Sequence, residues 1–355
     1  MKVNLGDCAQ LIKSRVDTEE ALEDSYVSTD NMLPNRGGIK FGDSNLPKSE
    51  TVNDYQKGDI LVSNIRPYFK KIWFADRDGT RSGDVLCFRA RNVGILDEYL
   101  YCVLQSDSFF NYVVATSKGT KMPRGDKKAI LNYEFDLPSR EEQYKKYNPI
   151  LLIEEKIRLN NQINNNLLNL ANTLFKHYFP DINTGTDKIG DYIKNFDKLR
   201  KPLSKKQRSE IPGKYRYIGA TSVNDHIDKY NFDGIYLLLG EDGTVQDEYG
   251  FPILQYTFGK FWPNNHAHVL QGKNVSTEWL YLYFSQRNIS GIVTGAVQKK
   301  VSQKNMNSLK FKLPDSQELK KFDKIIQPLF SKIRSTKLEN YQLEELKRVL
   351  LTKLF

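Results

Sequence analysis

The sequence predicts an α+β molecule: two tandem copies of one α/β unit, each followed by a long helix, in a pseudo-twofold arrangement with the two helices paired antiparallel. Three observations carry this. Lys156-Ile157-Arg158 recurs as Lys332-Ile333-Arg334, Leu137-Pro138 as Leu313-Pro314 and Gly119 as Gly295, each 176 residues on. A looser pair, Leu5-Gly6-Asp7 and Ile189-Gly190-Asp191, is 184 apart. An offset of about half the chain means two copies of one unit, whereas a solenoid needs periods of roughly 20–50 residues. Each copy runs from short strand-like segments into a heptad helix, so strands and helices are segregated along the chain.

The chain has 355 residues, 39% hydrophobic and 12% aromatic, so each half can bury a core of its own. The net charge of +10 points to a polyanionic partner, above all nucleic acid. Three cysteines, Cys8, Cys87 and Cys102, form no CxxC pair, which fits a reducing cytosol and excludes a disulfide framework. No run approaches the roughly 18 apolar residues of a membrane span, and Met1–Asp7 shows no apolar signal core. A cytoplasmic protein is the expectation.

Within residues 1–138, Lys57–Val62 and Asp84–Phe88 read as strands bounded by Gly and Asp. Asp97–Tyr112 reads as one helix, Thr116–Gly125 as a loop and Tyr133–Leu137 as a closing strand. Residues 139–179 form the first spacer helix, with Pro149 near its start. Its seam carries Ile150, Ile153, Ile157, Leu167, Ala171 and Leu174, with Asn160 and Asn164 between them. Residues 180–314 repeat the plan: a strand Tyr236–Leu239, a hairpin turn Gly240-Glu241-Asp242-Gly243, a strand His268–Leu270, a helix opened by Ser276 and Glu278 with Ser276 as its cap, and a loop Thr294–Lys300. Residues 315–355 form the second helix, with Ile326, Leu329, Ile333, Thr336, Asn340, Leu343, Leu350 and Leu354. Ile150, Ile157, Asn164, Leu167 and Leu174 match Ile326, Ile333, Asn340, Leu343 and Leu350, and these ten residues are expected to pair the helices. Asn164 and Asn340 would set the register at some cost in stability.

The usual signatures of catalysis are missing. There is no GxxxxGK[ST], and Asn148-Pro149-Ile150 lacks the aromatic segment of an amino-methyltransferase. Pro314-Asp315 with Glu318 and Lys320 superficially resembles a nuclease motif, but carboxylates crowded at a helix start cap it and complement its dipole. His266 and His268 alternate on a strand with no carboxylate cluster nearby in sequence, so no metal site is expected. No Ser-His-Asp or Cys-His set can be assembled.

Basic and aromatic residues gather in loops instead. Arg66, Tyr68, Lys70 and Lys71 form one set; Lys118, Thr120, Lys121 and Arg124 a second; Lys214 and Arg216 a third; Gln298, Lys299 and Lys300 a fourth. Arginine and glutamine read guanine and adenine edges, while lysines mostly hold phosphates. The second and fourth sets recur at equivalent places in the two copies.

At this point the whole chain resembles the specificity (S) subunit of type I restriction–modification systems. The likeness rests on Leu5-Gly6-Asp7 opening one variable domain, Leu137-Pro138 and Glu141-Glu142-Gln143 introducing a helix, Ile189-Gly190-Asp191 opening a second domain, and Leu313-Pro314 introducing a second helix. Tyr236–Gly243, Asn265–Leu270 and Gly119-Thr120 look like parts of its target-recognition domains. One departure stands out: after the second Leu-Pro, Gln317-Glu318 replaces the Glu-Gln pair in reversed order. The resemblance implies two target-recognition domains reading the halves of an asymmetric double-stranded DNA site. It implies helices that space them and dock two methyltransferase (modification) subunits, through which restriction subunits join. This chain would be non-catalytic and hold no cofactor; S-adenosylmethionine, ATP and magnesium would sit on the partners.

A helix of about 40 residues spans about 60 Å, an upper limit of roughly 18 base pairs between domain centres. Two domains reading one face of DNA want centres about one turn apart. The alternatives are a stand-alone DNA methyltransferase or nuclease with a duplicated degenerate domain, and a coiled-coil adaptor with no DNA role. Activity of the purified chain with DNA, S-adenosylmethionine and magnesium would favour the former, and a low-salt gel shift separates the latter.

Overall fold

The computed structural model describes residues 1–42, 44–91, 94–295 and 298–355, and the chain divides into two compact units. Ala296 and Val297, within the expected loop Thr294–Lys300, lie outside the described residues.

The first unit comprises Met1–Arg158 and Asn340–Phe355. Strand Lys2–Asn4 leads into the one-turn helix α1 (Leu5–Cys8) and pairs antiparallel with Glu134–Asp136, which ties the ends of the module together. One four-stranded sheet has the order Ala9–Leu11, Val85–Ala90, Ile60–Ser63, Ile72–Phe74; a second has the order Arg15–Asp17, Thr51–Tyr55, Gly79–Arg81, Tyr26–Val27. Ile60–Ser63 is buried throughout because its alternate side chains enter two cores. Ile60 and Val62 join Leu86 and Phe88 in one, and Leu61 joins Tyr55, Val85 and Cys87 in the other.

The helix expected over Asp97–Tyr112 is two helices, α2 (Asp97–Gln105) and α3 (Asp107–Ala115). Ser106 at the break has an extended ψ of 152°, and its hydroxyl accepts from Phe109 N at 3.1 Å. A serine that can cap a new helix competes with continuing the old one. The short helix α4 (Lys127–Leu131), not foreseen, is capped by Asp126. The spacer helix α5 (Arg140–Tyr178) begins nine residues before Pro149, which lies inside it. A capping box sets the true start: Glu142 N donates to Ser139 Oγ at 3.3 Å, and Ser139 N donates to Glu142 Oε2 at 3.1 Å.

The second unit comprises Leu159–Glu339. Strand Asp187–Lys188 and the 3-10 turn Ile189–Tyr192 open it, and the strand pairs with Lys310–Phe311. A six-stranded sheet has the order Ile193–Asn195, Ala267–Gly272, Phe232–Gly240, Leu254–Pro263, Pro212–Ile218, Val223–Ile227, with only Pro212–Ile218 and Leu254–Pro263 parallel among its described pairs. The modules therefore differ in their sheets, not only in their loops. The helices are α6 (Lys205–Ser209), α7 (Thr277–Ser285), α8 (Gln303–Asn307) and α9 (Ser316–Leu354), whose last residues belong to the first unit. Ser276 caps α7 as expected, accepting from Trp279 N at 3.1 Å. Asp315 caps α9, accepting from Gln317 N at 3.1 Å. Gly240–Gly243 is not a tight hairpin turn. The next strand starts only at Leu254, because Val245, fully buried, draws the chain into the core first.

The duplication is visible in backbone detail. Leu5 N donates to Tyr133 O at 2.8 Å, and Ile189 N to Leu309 O at 3.0 Å. A Cβ on Gly6 would lie 3.2 Å from Leu131 O of α4, and one on Gly190 2.5 Å from Asn307 Cβ of α8, so each opening glycine lets a short helix approach. Gly119 and Gly295 share φ values of 92° and 91°, a conformation that favours glycine.

Antiparallel helix pairing is present inside each unit. In the first, Ile150 packs with Leu351 and Cys102, and Lys347 Nζ donates to Glu154 Oε1 at 2.6 Å. In the second, Asn160 Nδ2 donates to Glu339 Oε2 at 2.9 Å, the Thr336 hydroxyl donates to Asn164 Oδ1, and the Phe175 and Phe322 rings lie 5.7 Å apart. The far ends of both seams differ from expectation. Phe175 (0% exposed) and Leu351 (4%) are buried, while Leu174 and Leu350 are half-buried. Ile157, Leu167 and Leu343 are also half-buried; Ile326, Ile333 and Asn340 are buried. A straight helix drifts about 20° per heptad against a 3.5-residue repeat, so four heptads accumulate nearly one residue position.

Candidate nucleic-acid interface

In the first unit three loops are laced together by backbone hydrogen bonds. Asn35 N donates to Phe69 O at 2.8 Å and Arg36 N to Lys70 O at 2.9 Å. Arg66 N donates to Pro123 O at 2.8 Å, and Lys118 and Arg124 exchange two bonds at 2.9 Å. Asn35, Arg36, Arg66 and Lys70 all have positive φ, between 49° and 63°. Left-handed non-glycine residues carry strain that persists where surroundings over-determine it, as at binding sites. The structure thus brings the first and second basic sets into one cluster.

Their side chains divide. Arg66, Tyr68, Lys118, Thr120, Lys121 and Arg124 are exposed, and Arg66 and Lys121 have no ion pair among the described residues. Arg124 meets Asp84 at 3.3 Å, and Lys118 pairs with Asp126, holding that carboxyl below its ordinary range. Lys70 and Lys71 turn inward. Lys70 Nζ donates to Asp107 Oδ1 at 2.6 Å, and Lys71 Nζ to Thr29 O at 2.6 Å, where burial lowers the pKa of the ammonium. Arg36, which sequence reasoning missed, reaches the same Asp107 at 2.5 Å and donates to Gln105 O at 2.6 Å. It is a bracing residue 71 positions from its partner in sequence, and no local pattern marks it.

In the second unit the fourth set is fastened to the sheet end. Gly243 N donates to Lys299 O at 2.9 Å, Val301 N to Glu241 O at 2.8 Å and Glu241 N to His266 O at 2.9 Å. Gln298 and Lys299 are exposed, and Lys300 lies 3.5 Å from Glu241. Beneath them is a cluster the sequence did not disclose. His268, 1% exposed, meets Asp197 Oδ2 at 2.6 Å through Nδ1 and Val301 O at 2.9 Å through Nε2. Arg200 bridges Glu241 at 2.7 Å and Asp197 at 3.6 Å. Carboxylates absent from the histidines' sequence neighbourhood do reach His268 in the fold, since Asp197 arrives from 71 residues away.

Asp197, Glu241 and His268 are metal-ligand types within 4.8 Å of one another. Their geometry is that of an ion-pair network. A carbonyl oxygen only accepts, so Nε2 carries hydrogen, and Nδ1 faces a carboxylate. Burial disfavours the charged ring, but the Asp197 hydrogen bond and charge, Val301 and Glu241 outweigh it and raise the His268 pKa. Burial likewise opposes ionisation of Asp197, and His268, the Val269 amide and Asn195 together offset it, so that carboxyl is lowered. The cluster clamps strand Lys300–Val301 at Val301 O and so anchors the loop bearing Gln298–Lys300.

The third set lies apart from the fourth. Lys214 and Arg216 occupy strand Pro212–Ile218 near the far edge of the sheet, whereas the fourth set joins Glu241 and His268 at the ends of other strands. Lys214 is exposed, 5.4 Å from the Tyr215 ring. Arg216 is half-buried and donates to Phe258 O at 2.6 Å. No helix of the described residues is long and apolar enough to cross a membrane.

With this geometry established, the comparisons are specific. The family model described as "Type I restriction modification DNA specificity domain" matches residues 186–348. A putative type I restriction enzyme specificity subunit of Haemophilus influenzae is 30% identical over 129 residues, 36% of this chain and 32% of that protein. The HindI specificity subunit of the same organism is 28% identical over 189 residues, 50% of this chain and 40% of its own length. The chain thus spans about a third to two fifths of these curated relatives. The crystal structure of a type I restriction-modification S subunit from M. genitalium aligns over 100% of this chain and 96% of its own, with a TM-score of 0.58 and 16% identity, a likeness of fold.

Proposed function

We propose that the chain, whose residues 186–348 match the model of the type I restriction–modification DNA-specificity domain, is the DNA-reading subunit of such a complex, recognising a bipartite, asymmetric site in double-stranded DNA. The observation that carries this reading is the pair of basic loops that follow Gly119 and Gly295. The two glycines share a positive φ, 92° and 91°, and the side chains beside them differ, Lys118–Arg124 against Gln298–Lys300. Equivalent glycines with unlike neighbouring side chains suit two modules that read unlike half-sites. On this reading Arg66, Tyr68, Lys121, Arg124 and Gln298 face the bases or their sugars, and Lys118, Lys214, Lys299 and Lys300 neutralise phosphates. Lys70, Lys71 and Arg216 support the loops and sheet that carry them. Two methyltransferase subunits would dock on the helices, supplying S-adenosylmethionine, and restriction subunits would join with ATP and magnesium, leaving the chemistry outside this chain.

The test exchanges residues 180–314 for the equivalent domain of a family member with a known site. Methylome sequencing of cells carrying the chimera and its partner methyltransferase should show one half-site replaced and the other retained. An unchanged site, or two changed halves, would overturn the assignment.

A further inference from the structure

Between Asp197 and Glu210 the second unit carries six cations and no carboxylate: Lys198, Arg200, Lys201, Lys205, Lys206 and Arg208. A run of like charges ordinarily repels itself and stays disordered. This one is pinned. Arg200 donates to Ala267 O and meets Glu241, both at 2.7 Å. Lys201 O accepts from Trp262 Nε1 at 2.6 Å, and Leu203 N donates to the Tyr217 hydroxyl at 3.0 Å. Arg208 meets Asp225 at 3.1 Å, donates to Leu203 O at 2.7 Å and lies 4.7 Å from the centre of the Tyr217 ring. A capping box of Ser204 and Gln207 fixes the start of α6. The anchors lie on strands Ala267–Gly272, Leu254–Pro263, Pro212–Ile218 and Val223–Ile227, in the order in which those strands stand in the sheet. The segment is an arm laid across the sheet.

Its cations divide by role. The two arginines make the inward ion pairs. Lys198, Lys201, Lys205 and Lys206 are exposed and have no carboxylate partner among the described residues. The arm also joins two basic sets that stand apart on the sheet. Its start meets the fourth set, because Arg200 and Lys300 share Glu241, at 2.7 and 3.5 Å. Its end leads into the strand that carries Lys214 and Arg216. Four ammonium groups held along a fixed track raise the local potential, and an extended polyanion meets that potential at every position. An ammonium is a point charge without arginine's planar fork, so lysines suit phosphates better than base edges.

We propose that this arm grips the DNA backbone beside the second half-site, with Lys198, Lys201, Lys205 and Lys206 neutralising phosphates and reading no base. The proposal rests on the DNA-reading assignment and adds to it a surface that the basic loops do not include.

The test uses the full chain with its methyltransferase subunits and a duplex bearing the site that methylome sequencing assigns. Log affinity is measured against log salt. Lys201→Gln with Lys205→Gln should reduce the slope by about two, since each phosphate contact contributes about 0.9, and the methylated sequence should stay the same. Lys188→Gln with Lys310→Gln removes the same charge from the strand pair that closes the module and should keep the wild-type slope. All four side chains are exposed, so neither variant disturbs the core. Equal slopes in the two variants, or a second half-site altered by the arm variant, would overturn the proposal. An arm variant with the wild-type slope whose complex fails to assemble would mark an acidic protein surface as the partner and overturn it equally. Cells that carry the wild-type complex and show no bipartite methylation would sink the DNA-reading assignment itself, and the arm's role with it.

Discussion

Both ring nitrogens of His268 face acceptors, and Asp197, Glu241, Arg200 and Lys300 complete the charged groups around it. Burial disfavours the charged ring, but the Asp197 carboxylate, Val301 O and Glu241 outweigh it and raise the ring's pKa above the ordinary value of about 6.5. A raised folded-state pKa contributes stability that is fully present below the unfolded pKa and lost as pH climbs through the folded one. The difference in thermal midpoint between wild type and His268→Gln should therefore be largest below about pH 6.5 and shrink as pH rises. A difference independent of pH would mean that the folded ring is neutral. Little of this cluster was legible in sequence: His268 was visible on its strand, but Asp197 and Glu241 reach it across 71 and 27 residues. Gly119 and Gly295 were legible, because a positive φ restricts the residue type and leaves glycine at both ends of the repeat.

At the scale of elements, the long helices are legible from periodicity, and the first, expected over residues 139–179, runs over Arg140–Tyr178. Pro149 lies inside it and not in its first turn, because Ser139 and Glu142 together satisfy the first free amides. The seam was followed at a strict heptad, which the helix leaves by one residue at its far end. Phe175 sits there among Phe179, Trp279 and Phe322, whose ring centroids lie 5.1, 5.6 and 5.7 Å from its own. Phe175→Ala should cost about 3–5 kcal/mol in urea unfolding, whereas half-buried Leu174→Ala should cost under half as much. Equal losses at the two positions would restore the strict heptad. The reversed Gln317-Glu318 also acquires a meaning here. In the first copy, buried Gln143 accepts from Leu96 N at 2.9 Å and donates to Gly94 O at 2.9 Å, stitching α5 to the approach of α2. In the second, Asp323 takes the hydroxyl of Ser276 at 2.6 Å and fastens α9 to the cap of α7 instead.

For the whole molecule, the duplication separates what must stay alike from what is free to change. The closing strand pairs, opening glycines and turn glycines are common to both modules, while the sheets and basic loops differ. Each long helix has 39 residues and contributes to both compact units, so changing one helix alone would break the pairing in each. Under the DNA-reading proposal, the helices set the unread gap and the modules set the sequence of each half-site. Seven residues added to both helices, after Arg158 and before Asn340, keep the seam in phase and lengthen each by about 10 Å. That corresponds to at most about three base pairs of DNA. Methylome sequencing should then report a longer gap between two unchanged half-sites. A half-site altered by an insertion that touches neither module would mean that the helices take part in reading bases, and the division of labour between frame and reader would fail.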